Sequence, residues 1–141
     1  MNTLIRLTLI CLMFPIINGC NTNLEKHDEY VFAVQLVNDP VKIQEYLEYH
    51  KKVWPEVESG FKAAGYKSIR LYRFKNYLTM IVEVPKGVSL EEIGKAEELH
   101  TEKVKEWNAL MDSYQKGLPG TKDGSTWVAM DKYYEFNNNV Q

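Results

Sequence analysis

The sequence predicts an α+β fold in which an antiparallel sheet carries its helices on one face. Four segments have the length and the β-branched or aromatic content of strands, and two longer segments repeat apolar residues every three or four positions, as amphipathic helices do. Their order is β-α-β-β-α-β, which is the ferredoxin-like split β-α-β arrangement. A length of 141 residues suits one domain with its own core.

A strand and an interrupted helix are predicted for the first half of this domain. Tyr30–Val37 is rich in β-branched and aromatic residues and has strand length. Asp39 can cap the following helix, and Pro40 fits the first helical position. Pro55 lies inside the helical pattern and lacks a backbone N–H, so it should kink the helix or start a second segment. Gly65 is a good helix stop.

A hairpin is predicted next. Lys67–Phe74 and Tyr77–Val84 both read as strands, and the short connection between them favours antiparallel pairing.

A second helix and a last strand complete the predicted order. Ser89, followed by Glu92 three residues on, forms a capping box that starts a helix predicted to run to about Tyr114. The turn-rich segment Lys116–Ser125 is a loop, and Thr126–Phe136 is predicted as the final strand, with an irregularity near Asp131.

The first nineteen residues are predicted to be a signal peptide of the lipoprotein type. An apolar run too short to span a bilayer follows Arg6 and ends at Gly19-Cys20, which resembles a bacterial lipobox. Cys20 would then be lipidated and become the mature N-terminus, and the chain would be exported and anchored by lipid, facing the periplasm or the cell surface. An ordinary secretory signal is the alternative.

The predicted boundaries are residues 1–19 for the signal peptide, 20–29 for a tether, 30–137 for the folded domain and 138–141 for a tail. Cys11 would be removed with the signal peptide. No cysteine would remain in the domain, which excludes disulfides, thiolate metal sites and cysteine nucleophiles there. The formal net charge of −2 argues against nucleic acid as a partner.

One histidine stands among aromatic residues on the first predicted helix. Tyr46, His50 and Trp54 are spaced by four, so they share the inward face. His50 could be a core histidine, a metal ligand or an acid/base group in a ligand pocket. The metal interpretation is weak because no histidine or glutamate lies one turn away on that face, although His100 could approach from the second helix.

Other residues limit the chemistry. No serine lies in an elbow-like G-x-S-x-G context, so covalent catalysis is disfavoured. Trp107 is expected on the inward face of the second helix, where it could be core or, with Trp54, a stacking wall for a sugar. Asn108 could supply a hydrogen bond to a sugar edge.

The segments FAVQLV, EYLEYHKKVWPEVE, MIVEV and EKVKEWNALM resemble the L-rhamnose mutarotase family over Phe32–Phe136. The resemblance implies a dimeric ferredoxin-like α/β barrel that interconverts the α and β anomers of a 6-deoxy sugar without a cofactor or a metal. It also implies that His50 donates a proton and that Tyr46 contacts the substrate or relays a proton. Trp107 matches the family's tryptophan on the second helix.

Two positions depart from the family pattern. Asn108 replaces a second tryptophan, and Ile69 replaces an aromatic residue early in a strand.

The partners expected from the resemblance are a monosaccharide, foremost L-rhamnose, and a second copy of the chain. Contact with the membrane is expected only through the lipid anchor. Two other functions stay open at this point. They are a non-catalytic sugar-binding lipoprotein and a cofactor-free oxygenase on the same kind of barrel.

Overall fold

The computed structural model describes residues 27–121 and 126–138. The predicted signal peptide, Cys20 and most of the predicted tether lie outside the described residues. In chain order the elements are β1 (His27–Leu36), α1 (Pro40–Lys51), α2 (Pro55–Ala64), β2 (Ser68–Phe74), β3 (Tyr77–Pro85), α3 (Leu90–Ile93), a 3-10 turn (Glu97–His100), α4 (Glu102–Asp112), β4 (Gln115–Lys116) and β5 (Val128–Met130).

The strands form one antiparallel sheet in the order β2-β3-β1-β4, with β5 also pairing with β1. The outer edge of β1 is thus shared by two short strands, β4 beside Gln35–Leu36 and β5 beside Val31–Ala33. The helices supply the other half of the core, in which Val34 and Leu36 of β1 pack with Tyr46, Val57 and other apolar side chains. The predicted ferredoxin-like α+β fold is confirmed.

The interruption of the first helix follows the prediction. The Asp39 side chain accepts hydrogen bonds from the backbone N–H groups of Val41 and Lys42 at 2.9 and 3.2 Å, and α1 then ends at Lys51. Pro55 is the first residue of α2, and Gly65 ends α2 in the left-handed conformation with φ 96°. The backbone therefore leaves the helical conformation between the end of α1 and the start of α2.

The prediction of one continuous second helix is wrong, because this segment divides into α3, the 3-10 turn and α4. The Ser89 side chain caps α3, as predicted, but α3 ends after one turn at Gly94. The Thr101 side chain starts α4 separately by accepting from the Val104 N–H at 3.4 Å. His100 is exposed and its Nε2 lies 2.9 Å from the Gly94 carbonyl oxygen, so it does not face inward or approach His50 as the continuous helix would have required.

Both ends of the domain differ from the predicted boundaries. β1 begins at His27, three residues early, because β3 continues to Pro85 and supplies antiparallel partners for that segment. The last strand is only Val128–Met130, since β1 pairs with no more of it. Beyond it, residues 131–138 have no regular structure and side chains such as Tyr133 are solvent-exposed.

A close approach between α2 and the 3-10 turn requires glycine at position 60. A Cβ added to Gly60 would lie 2.9 Å from the backbone oxygen of Glu98. We expect Gly60→Ala to lower the free energy of unfolding by about 1–3 kcal/mol, because the two segments must move apart. Urea unfolding measures the change. Ser59→Ala, at an exposed position of the same helix, is the control and should stay within about 0.5 kcal/mol of the parent; equal stability of both variants would contradict the expectation.

No helix in the described ranges is both long enough and apolar enough to cross a bilayer.

Candidate active site

A cavity of about 830 Å³ lies between the sheet and the helices. Its floor is apolar and crosses three strands, where Phe32 of β1 lies opposite Met80 of β3 and Met80 lies opposite Leu71 of β2. Ile69 and Val82 form a second pair beside this row. Such a floor suits the C–H face of a small ligand.

Helices α1 and α4 bring Tyr46, His50 and Trp107 together in the wall of this cavity. The rings of Tyr46 and His50 stack with centroids 4.2 Å apart, and the His50 ring meets the edge of Trp107 at 5.5 Å. Tyr46 is 1 % exposed and Trp107 is 5 % exposed, whereas His50 is only partly buried. His50 is therefore held firmly by its neighbours while it still faces open space.

The hydrogen bonding of His50 fixes its tautomer. Nδ1 lies 3.0 Å from the backbone carbonyl oxygen of Tyr46. A carbonyl oxygen can only accept, so Nδ1 carries the hydrogen and donates it. In the neutral ring the lone pair is then on Nε2, for which the described residues supply no hydrogen-bond partner. Nε2 of the neutral ring can therefore accept a hydrogen bond or a proton.

Burial shifts the two titratable groups of the wall in ways that suit proton transfer. Desolvation lowers the pKa of His50 below 6.5, and the hydrogen bond to the Tyr46 carbonyl opposes this only in part. Desolvation also raises the pKa of the Tyr46 hydroxyl to about 12, against a smaller opposing effect of a hydrogen bond with the Gln115 side chain. At neutral pH the histidine is uncharged and the tyrosine keeps its proton.

Three of the four side chains predicted to bind a substrate line the cavity. Ile69 lies in its floor, Trp107 in its wall, and Asn108 on an exposed part of α4 at its rim. Trp54 does not line it. The Trp54 ring packs behind Trp107 with centroids 5.4 Å apart and borders a groove on the outer side of α1. The predicted stacking wall of two tryptophans is therefore wrong, because Trp54 supports Trp107 from outside.

Several residues of the cavity were not predicted from the sequence, and Gln115 is the most informative of them. Gln115 is 9 % exposed, lies at the start of β4, and its Oε1 is buried without a hydrogen-bond partner among the described residues. Helical periodicity could not have placed it, because α4 ends at Asp112 and Gln115 belongs to β4. Other missed lining residues are Glu58, Phe61, Tyr66, Asp112 and Trp127.

Within residues 27–121 and 126–138, no three histidine, cysteine, aspartate or glutamate side chains form a group that could hold a metal ion.

Comparison with known proteins gives a family. A model of the L-rhamnose mutarotase family matches residues 29–136. A UPF0734 protein of Dictyostelium discoideum is 32% identical over 115 residues, which are 79% of this chain and 91% of that protein. The L-fucose mutarotase of Xanthomonas campestris pv. campestris is 30% identical over 112 residues, which are 77% of this chain and 88% of that protein.

A solved structure shows the same fold. The crystal structure of an L-rhamnose mutarotase from Formosa agariphila has a TM-score of 0.55 at 19% identity, and the match covers 78% of this chain and 99% of that one. The family model spans most of the chain, and the chain is 30% identical to an L-fucose mutarotase over 88% of that protein. The chain therefore belongs to the L-rhamnose mutarotase family of sugar isomerases.

Proposed function

We propose that the protein interconverts the α and β anomers of a 6-deoxy aldose, foremost L-rhamnose, and that His50 transfers the proton. The observation that carries this proposal is the placement of His50, which lines an open cavity, stacks on Tyr46 and has no hydrogen-bond partner for Nε2 among the described residues. L-fucose, also a 6-deoxy sugar, is the second substrate to test, because one relative is an L-fucose mutarotase.

We infer complementary roles for His50 and Tyr46. In ring opening, His50 Nε2 takes the proton of the anomeric hydroxyl while the bond between C1 and the ring oxygen breaks. Tyr46, which keeps its proton at neutral pH, gives that proton to the ring oxygen. After the aldehyde rotates about the C1–C2 bond, His50 returns its proton to the aldehyde oxygen, Tyr46 recovers its own, and the ring closes. His50 is thus the base in opening and the donor in closure.

The test is anomer exchange measured by saturation-transfer NMR with L-rhamnose and L-fucose. We expect exchange faster than in buffer alone for at least one of the two sugars. Exchange equal to the buffer rate for both sugars would refute the proposed activity.

The exchange rate should depend on pH through His50. Because the neutral ring is the base and burial lowers its pKa, the catalysed rate should be constant near neutrality and should fall as the pH drops through a value below 6.5. A pH profile of the NMR exchange rate, corrected for exchange in buffer, checks this. A catalysed rate that falls as the pH is raised above 6.5, or that rises as the solution is acidified, would contradict the role of His50 as a base.

We also propose that two copies associate through the face of the sheet that bears no helices. Since Phe32, Leu71 and Met80 face the cavity, their neighbours Val31, Tyr72 and Ile81 point the opposite way, and Tyr72 is 55% exposed. Analytical ultracentrifugation should give the mass of a dimer. The mass of one chain at micromolar concentration would refute it.

Attachment to a membrane through Cys20 remains a proposal from the sequence alone. The full chain, expressed in a bacterium that processes lipoproteins, should enter the membrane fraction, and Cys20→Ser should release it. Cys11→Ser is the matched control. A parent chain found only in the water-soluble fraction would refute the anchor.

A further inference from the structure

Gln115 stands out among the cavity residues because its polar side chain is buried, whereas Glu58, Asn108 and Asp112 are exposed. It follows the end of α4, and its backbone pairs with Leu36 in the sheet. Nine-tenths of its surface is buried.

The nitrogen and the oxygen of the Gln115 amide have different surroundings. The side chain reaches the Tyr46 hydroxyl, and its interaction lowers the pKa of that hydroxyl, which is the direction expected when the amide nitrogen is the donor. The amide oxygen, Oε1, is buried and has no hydrogen-bond partner in the described part of the chain. A buried acceptor without a donor is uncommon in folded proteins, and beside a cavity it indicates a group that a ligand satisfies.

We propose that Gln115 binds the substrate, with Oε1 accepting a hydrogen bond from one sugar hydroxyl while the amide nitrogen holds the Tyr46 hydroxyl in place. This inference rests on the proposed function, since it takes a sugar as the occupant of the cavity. The terminal torsion of a glutamine is broad, so a small rotation lets Oε1 meet a ligand while the nitrogen stays beside Tyr46. Every sugar hydroxyl can donate the bond that Oε1 lacks.

The geometry gives Gln115 a role in selectivity. The amide nitrogen positions the Tyr46 hydroxyl, to which we assign protonation of the sugar ring oxygen. Oε1 therefore bonds a sugar hydroxyl at one defined position of the same sugar. A site built to bond a hydroxyl rejects an analogue that lacks it more strongly than an apolar site does, because the buried group is left unpaired.

The experiment compares Gln115→Met with Gln44→Met. Methionine keeps the length of the side chain and removes both polar atoms. Gln44 is an exposed glutamine on α1 that bonds Glu48, so it is a control for the same chemical change. Circular dichroism first checks that both variants are folded. Dissociation constants are then measured by calorimetry for L-rhamnose, for L-fucose and for the 2-, 3- and 4-deoxy forms of L-rhamnose.

We expect Gln115→Met to bind L-rhamnose about three- to tenfold more weakly, the loss of one uncharged hydrogen bond. Gln44→Met should bind like the parent. One of the three deoxy sugars should bind to the parent and to Gln115→Met with equal affinity, because that sugar lacks the hydroxyl that donates to Oε1. Equal weakening for the full sugar and for all three deoxy sugars, or no weakening at all, would overturn the inference.

The two proposals can fail separately. If the parent accelerates anomer exchange but Gln115→Met binds every sugar like the parent, only the role of Gln115 falls. If binding depends on Gln115 as expected but exchange is no faster than in buffer, only the proposed catalysis falls. A parent chain that binds none of these sugars overturns both.

Discussion

Replacing His50 by alanine should lower the catalysed rate of anomer exchange by about 10²–10⁴-fold, the range for loss of a positioned acid/base group. No other described side chain combines an uncharged imidazole, a nitrogen free for a ligand and a place in the cavity wall. Tyr46 would remain in place, but with its pKa near 12 it is a poor base at neutral pH. Saturation-transfer NMR on L-rhamnose gives the rate.

His100→Ala is the matched control for this experiment. His100 is exposed on the 3-10 turn and its ring contacts the Gly94 carbonyl oxygen, away from the cavity lining. Its variant should exchange like the parent. If His50→Ala retains the parent rate on both sugars, the role assigned to His50 is wrong. If the parent chain binds these sugars but exchanges their anomers no faster than buffer, the protein is a sugar-binding module.

The second large effect is expected at Trp107. This side chain is 5 % exposed and contacts the rings of Tyr49, His50 and Trp54. Trp107→Ala should lower the free energy of unfolding by about 3–5 kcal/mol, because it leaves a void at the junction of α1, α2 and α4. Urea unfolding followed by far-ultraviolet circular dichroism measures the loss.

The control for Trp107→Ala is Glu106→Ala. Glu106 is the preceding residue on α4, is exposed, and pairs only with Lys103 among the ion pairs of the described residues. Exposed pairs contribute little, so this variant should lie within about 1 kcal/mol of the parent. A Trp107→Ala protein as stable as the Glu106 variant would show that the aromatic cluster does not support the fold.

Local chemistry explains which parts of the fold could be predicted. Asp39, Pro55 and Gly65 act through their own backbone or the next turn, so the ends of α1 and α2 follow from the sequence. The second helix was mispredicted for one local and one long-range reason. Its apolar spacing is helical throughout, but the local cap at Thr101 starts a new helix. The close approach of α2 to the 3-10 turn, at Gly60 and the Glu98 carbonyl, is long-range and is not visible in a periodic pattern.

The same distinction separates the site residues. Tyr46 and His50 are one turn apart on a single helix, so periodicity was enough to place both toward the sheet. Trp54 is also four residues away, but α1 ends at Lys51 and the extended backbone at Trp54 turns its ring outward behind Trp107. Gln115 belongs to a two-residue strand that exists only through its pairing with β1, which no local pattern predicts.

The stack of Tyr46 on His50 has a consequence for how the site can diversify. Both residues to which we assign proton transfer belong to α1, and the backbone of that helix supplies the carbonyl that sets the histidine tautomer. Their rings are already in contact without a substrate. The residues that differ from the family pattern, Ile69 and Asn108, belong to β2 and α4 instead. Under the proposed mechanism, substitutions at these two positions can change which sugar is accepted without replacing either residue to which we assign proton transfer.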